Sequence, residues 1–244
     1  AALAIERATL TQKINEERTY RNRLERYHAP GVIEMIMESS RQDAEISLNM
    51  QVRDVTILFT DLVGFTPLAE SLEPQELADR LNCFFSVMVD VIFKYEGTLD
   101  KYIGDCLMAI FGAPIPQDDH PVRAVKAAIQ MHRELDNLNK EKGYEFQVRT
   151  AINSGRVMAG DIGCLKRMEY SVLGDTVNIA SRLESSVAQP NQIVIGEDTY
   201  DKVKDLFQII DLGQFSLKGK RLKMRAYEII GTEDDESPTD SGLA

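Results

Sequence analysis

The 244-residue sequence has no tryptophan, only three cysteines and no long hydrophobic run. The cysteines, Cys83, Cys106 and Cys164, lie far apart and form no CxxC pair, which excludes a disulfide framework and favours reduced thiols. No stretch approaches the roughly 18 consecutive apolar residues of a membrane-spanning helix, and no basic segment precedes an apolar one as in a signal peptide. These absences predict a cytoplasmic protein, and they leave open a parent protein that is attached to a membrane.

Positive charge is also scarce, since 28 lysines and arginines face 39 aspartates and glutamates and the formal net charge is −11. An acidic surface repels a phosphate backbone, so DNA and RNA are excluded as general partners. A nucleotide pocket is not excluded, because a small phosphate ligand needs only local positive charge and a metal ion.

The beginning of the sequence differs in composition from its middle. Residues 1–28 are charged and contain neither glycine nor proline, and Pro30-Gly31 ends this helical segment. Three leucines in it share a heptad position that Glu17 interrupts, so the pattern fits a coiled coil or a solvated helix packed on its own domain. We expect residues 1–48 to be a connector in a fragment of a longer protein.

The middle of the sequence alternates strand and helix patterns. RDVTILFTD is rich in β-branched residues, as buried strands are, and apolar residues recur at helical spacing between Pro74 and Gly97. Two short strands, TLDKYI and CLMAIFG, flank the turn Gly104-Asp105, and a second helix from Asp119 leads to a fourth strand, FQVRTAI. This β-α-β-β-α-β order predicts an α+β fold with a ferredoxin-like, palm-like core.

A C-terminal extension follows this core. YSVLGDTVNIASRLE reads as a strand, a turn and a helix, and smaller strands are predicted around Ile193 and from Phe215 to Ile229. These elements predict an α/β extension of the core. The last residues, 232–244, are acidic and are predicted to be disordered.

Two acidic residues lie where this topology brings strand ends together. Asp61 follows the first strand, and Asp105 lies in the hairpin between the second and third strands. Two carboxylates that converge there suit Mg²⁺, which keeps oxygen ligands and accepts substrate phosphates. Taken singly, Asp61 also fits an N-cap and Asp105 an ordinary turn. Their joint position favours a metal site, in which two ions would assist the displacement of a phosphoryl group.

Other residues give weaker indications of a phosphate ligand. Gly64 in DLVGFT permits backbone amides to approach a phosphate, although the P-loop motif GxxxxGK[ST] is absent. Asn178 and Arg182 project from one helix face, which suits spreading phosphate charge and equally fits a solvated helix. Lys218 and Lys220, in LKGKR, offer positive charge or form only a solvated turn.

Four segments carry a family resemblance: FTDLVGFT, DKYIGD, YSVLGDTVNIASRLES and LKGK. In order and spacing they resemble the catalytic domains of class III nucleotidyl cyclases, which implies such a domain at residues 49–231. ERYHAPGVIEMI resembles the short transducer element that follows a signalling helix in many bacterial cyclases. A diguanylate cyclase would carry a Gly-Gly-Asp/Glu-Glu-Phe hairpin, whereas the hairpin here reads YIGDCL.

The resemblance implies a role for each matching residue. Asp61, Asp105 and the carbonyl of Leu62 would bind two Mg²⁺ or Mn²⁺ ions. Arg149, on a strand before a turn at Gly155-Arg156, would reach the polyphosphate. The other implied substrate ligands are Gly64, Phe65 and Thr66 at the phosphates, Asn178 at the ribose, Arg182 at the pentavalent phosphorus, and Lys218, or alternatively Lys220, at the terminal phosphates.

Two positions that read the base decide the activity that the resemblance implies. Lys101 matches the lysine of adenylyl cyclases, where guanylyl cyclases carry glutamate, and an ammonium group only donates, which suits adenine N1. Ser171 replaces the usual aspartate or threonine; its hydroxyl accepts from an amino group, yet in size it resembles the cysteine of guanylyl cyclases. We expect an adenylate cyclase that converts ATP to 3′,5′-cyclic AMP and pyrophosphate. A guanylate or mixed-specificity cyclase and a catalytically silent nucleotide-binding domain are the alternatives.

Domains of this family pair head to tail. Each pocket takes the two aspartates and Arg149 from one chain and the ligands of base, ribose and phosphorus from the other. This sequence contains both sets, so the resemblance implies a homodimer with two equivalent sites. It also implies an upstream sensor that acts through residues 1–48.

Overall fold

The computed structural model describes residues 50–164, 167–216 and 223–232. The predicted connector at residues 1–48, the tail beyond residue 232, and both Lys218 and Lys220 lie outside this part of the chain. Within it, no helix is both long enough and apolar enough to cross a membrane.

Eight strands and five helices alternate along the described residues. The strands are β1 (Gln51–Leu62), β2 (Thr98–Ile103), β3 (Cys106–Phe111), β4 (Val148–Cys164), β5 (Arg167–Leu173), β6 (Ile193–Gly196), β7 (Phe207–Phe215) and β8 (Met224–Thr232). The helices are α1 (Phe65–Ser71), α2 (Pro74–Lys94), α3 (His120–Lys142), α4 (Asp175–Ser186) and α5 (Glu197–Val203).

The strands form one mixed sheet in the order β2-β3-β1-β4-β6-β8-β7, and β5 pairs with β4. β4 and β6 run parallel, and the other paired strands run antiparallel. The first four strands and the helices α2 and α3 follow the predicted β-α-β-β-α-β order, which confirms the α+β class.

The sequence of α2 explains which face of the helix is buried and how the chain leaves its C-terminal end. The helix has proline in its first turn and buries one face, which consists of Phe84, Met88, Val91 and Ile92. After the helix, Gly97 packs so closely that a Cβ atom there would lie 2.7 Å from the Phe111 ring and 2.9 Å from Ile92. A residue without a side chain therefore lets the chain pass from α2 into β2.

Helices cover both faces of the sheet beside β1. Leu58 faces the large core that α2 and α3 complete, whereas Ile57 and Phe59 belong to a second core that includes Ala180 of α4. Side chains alternate along a strand, so Asp61 lies on the same face as Phe59. The end of β1 therefore presents its carboxylate on the side of the sheet that α4 covers.

The structure differs from the predicted elements in the second half of the chain. β4 continues to Cys164, so the turn expected at Gly155-Arg156 is wrong: β4 pairs along the full length of β1 and then with β5. The strand region expected from Phe215 to Ile229 contains the last residue of β7 and most of β8, and its expected start is late, because β7 already begins at Phe207. The helices α1 and α5 have no predicted counterpart, since seven residues are too few to display a helical period.

Candidate active site

The strand register brings Asp61, Asp105 and Arg149 to one place. Asp61 is paired with Cys106 of β3 on one side and with Arg149 of β4 on the other. Asp105 directly precedes Cys106 in the β2–β3 turn. The two carboxylates that were predicted to lie at neighbouring strand ends therefore lie together. Arg149, the residue predicted to bind the polyphosphate, lies beside them.

Arg149 joins this acidic cluster to α4. Its Nη2 donates a hydrogen bond to Asp61 Oδ2 and lies 3.1 Å from Oε1 of Glu184. Glu184 is buried, and within the described residues its Oε1 completes no hydrogen bond of standard geometry. The guanidinium group of Arg149 thus balances the negative charges of Asp61 and Glu184. We call the three carboxylates Asp61, Asp105 and Glu184 the acidic cluster.

Two carboxyl groups of the acidic cluster, those of Glu184 and Asp105, have raised pKa values. Burial, followed by the negative charge of Asp61, raises the pKa of Glu184 to about 7, and Arg149 opposes the rise. Burial also raises the pKa of Asp105, with a smaller contribution from Asp61. Burial raises the pKa of the neighbouring Cys106 thiol, so this cysteine is not a reactive thiolate.

The acidic cluster has the chemistry of a divalent-cation site. After burial, the negative charge of Asp61 contributes to the raised pKa of Asp105, and a bound cation relieves such repulsion. Among the described residues no group of three or more side chains forms a ready metal cage. Mg²⁺ does not need one, because it binds through one or two carboxylates together with water and substrate phosphates.

A separate cavity of about 330 Å³ contains the candidate base-reading residues. Lys101, Ser171 and Asn178 line it, and Phe59 and Val172 supply apolar surface. Ser171 is buried, whereas Lys101 and Asn178 are exposed. We call this space, between β2, β5 and α4, the base cavity.

The base cavity and the acidic cluster do not share a residue in the described chain. Asp61 and Asp105 are absent from the cavity lining, as is Arg182, which follows Asn178 by one helical turn and is half-buried. The structure therefore presents two partial sites on one chain.

The predicted phosphate loop lies at the start of α1. Gly64 adopts a left-handed backbone conformation, with φ of 72°, and precedes the helix. Phe65 packs against the large core, so its side chain has a structural role there, while Thr66 is exposed. The apolar side chain of Leu62 is buried, so the metal-binding role predicted for Leu62 rests on its backbone carbonyl alone.

Two residues of these partial sites have no counterpart among the predicted ones. Glu184 lies within the segment YSVLGDTVNIASRLES, and Asp100 directly precedes Lys101 and lines the base cavity. Carboxylates are seldom buried, so sequence alone gave no reason to place either inside. The sequence feature that could have identified them is their position within or beside the segments that resemble the family.

The comparisons with known proteins identify a family. Residues 48–231 match the family model of the adenylate and guanylate cyclase catalytic domain. Adenylate cyclase 1 of Rhizobium meliloti is 29% identical over 197 residues, which cover 79% of this chain and 30% of that protein. Guanylate cyclase soluble subunit beta-2 of Rattus norvegicus is 33% identical over 186 residues, which cover 74% of this chain and 27% of that protein.

A solved structure resembles the fold over most of its length. The crystal structure of the adenylyl cyclase CyaB from P. aeruginosa has a TM-score of 0.74 and 35% identity, and the match covers 78% of this chain and 100% of that one. The chain spans less than a third of the length of the two curated relatives named above. Since the family model covers most of the chain and the fold agrees, the chain belongs to the family of adenylate and guanylate cyclase catalytic domains.

Proposed function

We propose that this chain is the catalytic domain of an adenylate cyclase, which converts ATP to 3′,5′-cyclic AMP and pyrophosphate in a head-to-tail homodimer. The observation that carries the proposal is the presence of Lys101, Ser171 and Asn178 on one cavity. Relatives named adenylate cyclase and the likeness to CyaB support it.

The base cavity favours adenine through the donors and acceptors that it offers. The Lys101 ammonium has three donors and no acceptor, so it pairs with adenine N1 and opposes the N1–H of guanine. The Ser171 hydroxyl accepts from the 6-amino group of adenine. Asn178 lines the same cavity and would hold the ribose, which fixes the 3′-hydroxyl for in-line attack.

The acidic cluster would hold the reacting phosphates. Asp61, Asp105 and the Leu62 carbonyl would bind two Mg²⁺ or Mn²⁺ ions, which supply Lewis acidity at the attacking and leaving oxygens. Arg149 donates to Asp61 in this structure, so the polyphosphate competes with that carboxylate for its guanidinium. Arg182 would stabilise the negative charge that spreads over the phosphorus in the transition state.

The reaction itself is an internal displacement. The ribose 3′-oxygen forms a bond to the α-phosphorus, and the bond from that phosphorus to the bridging oxygen breaks to release pyrophosphate. The proton of the 3′-hydroxyl passes to water or to a substrate phosphate. We assign no side chain as general base.

The test is the identity of the product. We would incubate the purified chain with equal ATP and GTP and Mn²⁺, and separate the products by chromatography; we expect mainly cyclic AMP. A second test uses the double variant Lys101→Glu/Ser171→Cys, in which we expect a preference for GTP over ATP. Unchanged ATP preference in that variant would mean that the base is read elsewhere.

Two other outcomes would favour the alternative functions. Cyclic GMP in comparable or greater amount from the unaltered chain would point to a mixed-specificity or guanylate cyclase. This alternative rests on Ser171, which is close to cysteine in size. No cyclic product at any protein concentration would favour a nucleotide-binding domain without turnover.

We also propose that residues 1–48 are a signalling helix and transducer element that pass the state of an upstream sensor to the catalytic domain. The support is the resemblance of ERYHAPGVIEMI to such an element. The catalytic domain would then act at the cytoplasmic side of the parent protein.

A further inference from the structure

The base cavity contains a carboxylate that the proposed reaction does not use. Asp100 lines the cavity beside Lys101 and Ser171, and its side chain has 0% exposure. Within the described residues, neither of its oxygens completes a hydrogen bond of standard geometry. A buried carboxylate in this condition is costly, so its retention needs an explanation.

An irregularity in β2 directs Asp100 into the cavity. Leu99 pairs with Ala109 and Lys101 with Met108, so Asp100 is an extra residue between two consecutive partners on β3, which is a β-bulge. Consecutive side chains on a regular strand point to opposite faces. The bulge breaks that alternation, and both Asp100 and Lys101 line the same cavity.

The neighbours of Asp100 determine what it does there. Burial raises the pKa of this carboxyl, whereas the nearby Ser171 hydroxyl and the charge of Lys101 lower it, and Glu169 adds a smaller rise. Lys101 Nζ lies 3.4 Å from Oδ2 and balances the buried charge. Ser171 is therefore the nearby neutral donor that a charged Asp100 can orient.

We propose that Asp100 is a positioning residue for base selection: it accepts a hydrogen bond from the Ser171 hydroxyl, so that Ser171 presents only lone pairs to the base. A free serine hydroxyl rotates and either donates or accepts, and would therefore tolerate both purines. With its proton held by Asp100, Ser171 accepts from the 6-amino group of adenine and opposes the 6-oxo group of guanine. The inference rests on the proposed function and explains how serine replaces aspartate or threonine in an adenine-reading cavity.

The experiment measures the ratio of kcat/KM for ATP to kcat/KM for GTP. In Asp100→Asn, the amide offers either a donor or an acceptor to Ser171, so the hydroxyl is free to donate to guanine. We expect the ratio to fall by about 10-fold or more, with a rise in the GTP value. A purely structural role would lower both values by the same factor and leave the ratio unchanged.

A second variant isolates the route through Ser171. Ser171→Ala removes the hydroxyl, so adding Asp100→Asn to it should leave the ratio where Ser171→Ala has put it. Ser171→Thr keeps the hydroxyl, so Asp100→Asn should lower the ratio in that background as it does in the unaltered chain. An equal further fall in the Ser171→Ala background would overturn the proposal, because Asp100 would then act through Lys101 instead.

A binding measurement separates this inference from the proposed function. The dissociation constants of ATP and GTP analogues with a methylene α–β bridge would be measured by calorimetry with Mn²⁺ for the same variants. If the chain makes no cyclic product, the proposed function fails, and a loss of ATP preference on Asp100→Asn still supports the orienting role. An unchanged preference in this measurement contradicts that role.

Discussion

At the scale of single residues, the proposed metal chemistry depends on two carboxylates that the strand register brings together. We expect Asp61→Ala or Asp105→Ala to lower the rate of cyclic nucleotide formation at least about 100-fold, because the metal ions lose a ligand. Asp54→Ala, which removes an exposed carboxylate from the same strand, is the matched control and should keep activity. Analytical ultracentrifugation should show the same oligomeric state for all three variants. Retained activity in either aspartate variant would refute the metal assignment.

The half-buried His132 makes stability depend on pH. His132 Nε2 lies 3.0 Å from the Thr150 hydroxyl, and burial lowers the pKa of His132 from 6.5 to about 4. Between these values the unfolded chain binds a proton that the native chain does not, so the free energy of unfolding falls as the pH is lowered, by up to about 3 kcal/mol.

The measurement is urea denaturation at pH 7 and at pH 4.5 for the unaltered chain and for His132→Asn. Carboxylates contribute a pH dependence to both proteins, so the difference between them reports His132 alone. We expect a smaller loss of stability at low pH in the variant. Equal losses would show that His132 is protonated in the native state.

At this scale, the sequence predicted those site residues whose positions follow from a local pattern or a matched segment. Asp61 and Asp105 follow from their places at strand ends, and Lys101, Ser171 and Asn178 from matched segments. Glu184 and Asp100 did not follow, since their burial results from α4 and from a bulge that no local pattern announces. The roles of all these residues stay predictions until variants are measured.

At the scale of elements, the junction between α2 and β2 has no room for a side chain. In Gly97→Ala the new Cβ would meet the Phe111 ring, which is fully buried and cannot move aside. We expect the free energy of unfolding to fall by about 1–3 kcal/mol, as for other overpacked cores.

A double-mutant cycle checks the cause of that loss. Phe111→Leu removes the ring atoms in the way, so Gly97→Ala should cost less in that background. Chemical denaturation of the four proteins gives the coupling energy. An equal cost in both backgrounds would mean that backbone conformation, and not the contact, requires glycine at this position.

The elements that sequence predicted well are those with a period or a clear boundary. α2 and α3 combine apolar spacing with proline in the first turn and an adjacent glycine, and β2 and β3 flank a glycine turn. β4 exceeded its predicted length because β1 and β5 provide partners for residues whose own pattern is weak. The strand pairs β4–β6 and β6–β8 join segments that are distant in the sequence, so local patterns could not supply them.

At the scale of the whole molecule, the separation of the acidic cluster from the base cavity makes the head-to-tail pairing testable. We expect Asp61→Ala to disable the acidic cluster and Asn178→Ala to disable the base cavity, so each homodimer should be inactive. Co-expressed in equal amounts, they should recover about one quarter of normal activity, because half of the dimers are mixed and each mixed dimer has one intact pocket.

The matched control combines two defects of the same kind. Asp61→Ala co-expressed with Asp105→Ala should recover nothing, since both pockets of a mixed dimer then lack one aspartate. Activity would be measured as cyclic AMP formed per milligram of purified protein. Failure of the first pair to recover activity would argue that both partial sites act within one chain.

The same separation has an evolutionary consequence. Under the proposed function, mutations in the base cavity would alter which purine is accepted, while the residues proposed to handle phosphate lie elsewhere and would remain under their own selection. Relatives named for adenylate and for guanylate cyclases accordingly stand at similar distances from this chain, at 29% and 33% identity. A lineage that changes its second messenger would therefore have a short path, through a few substitutions in one cavity, along which every ancestor would keep its phosphate chemistry.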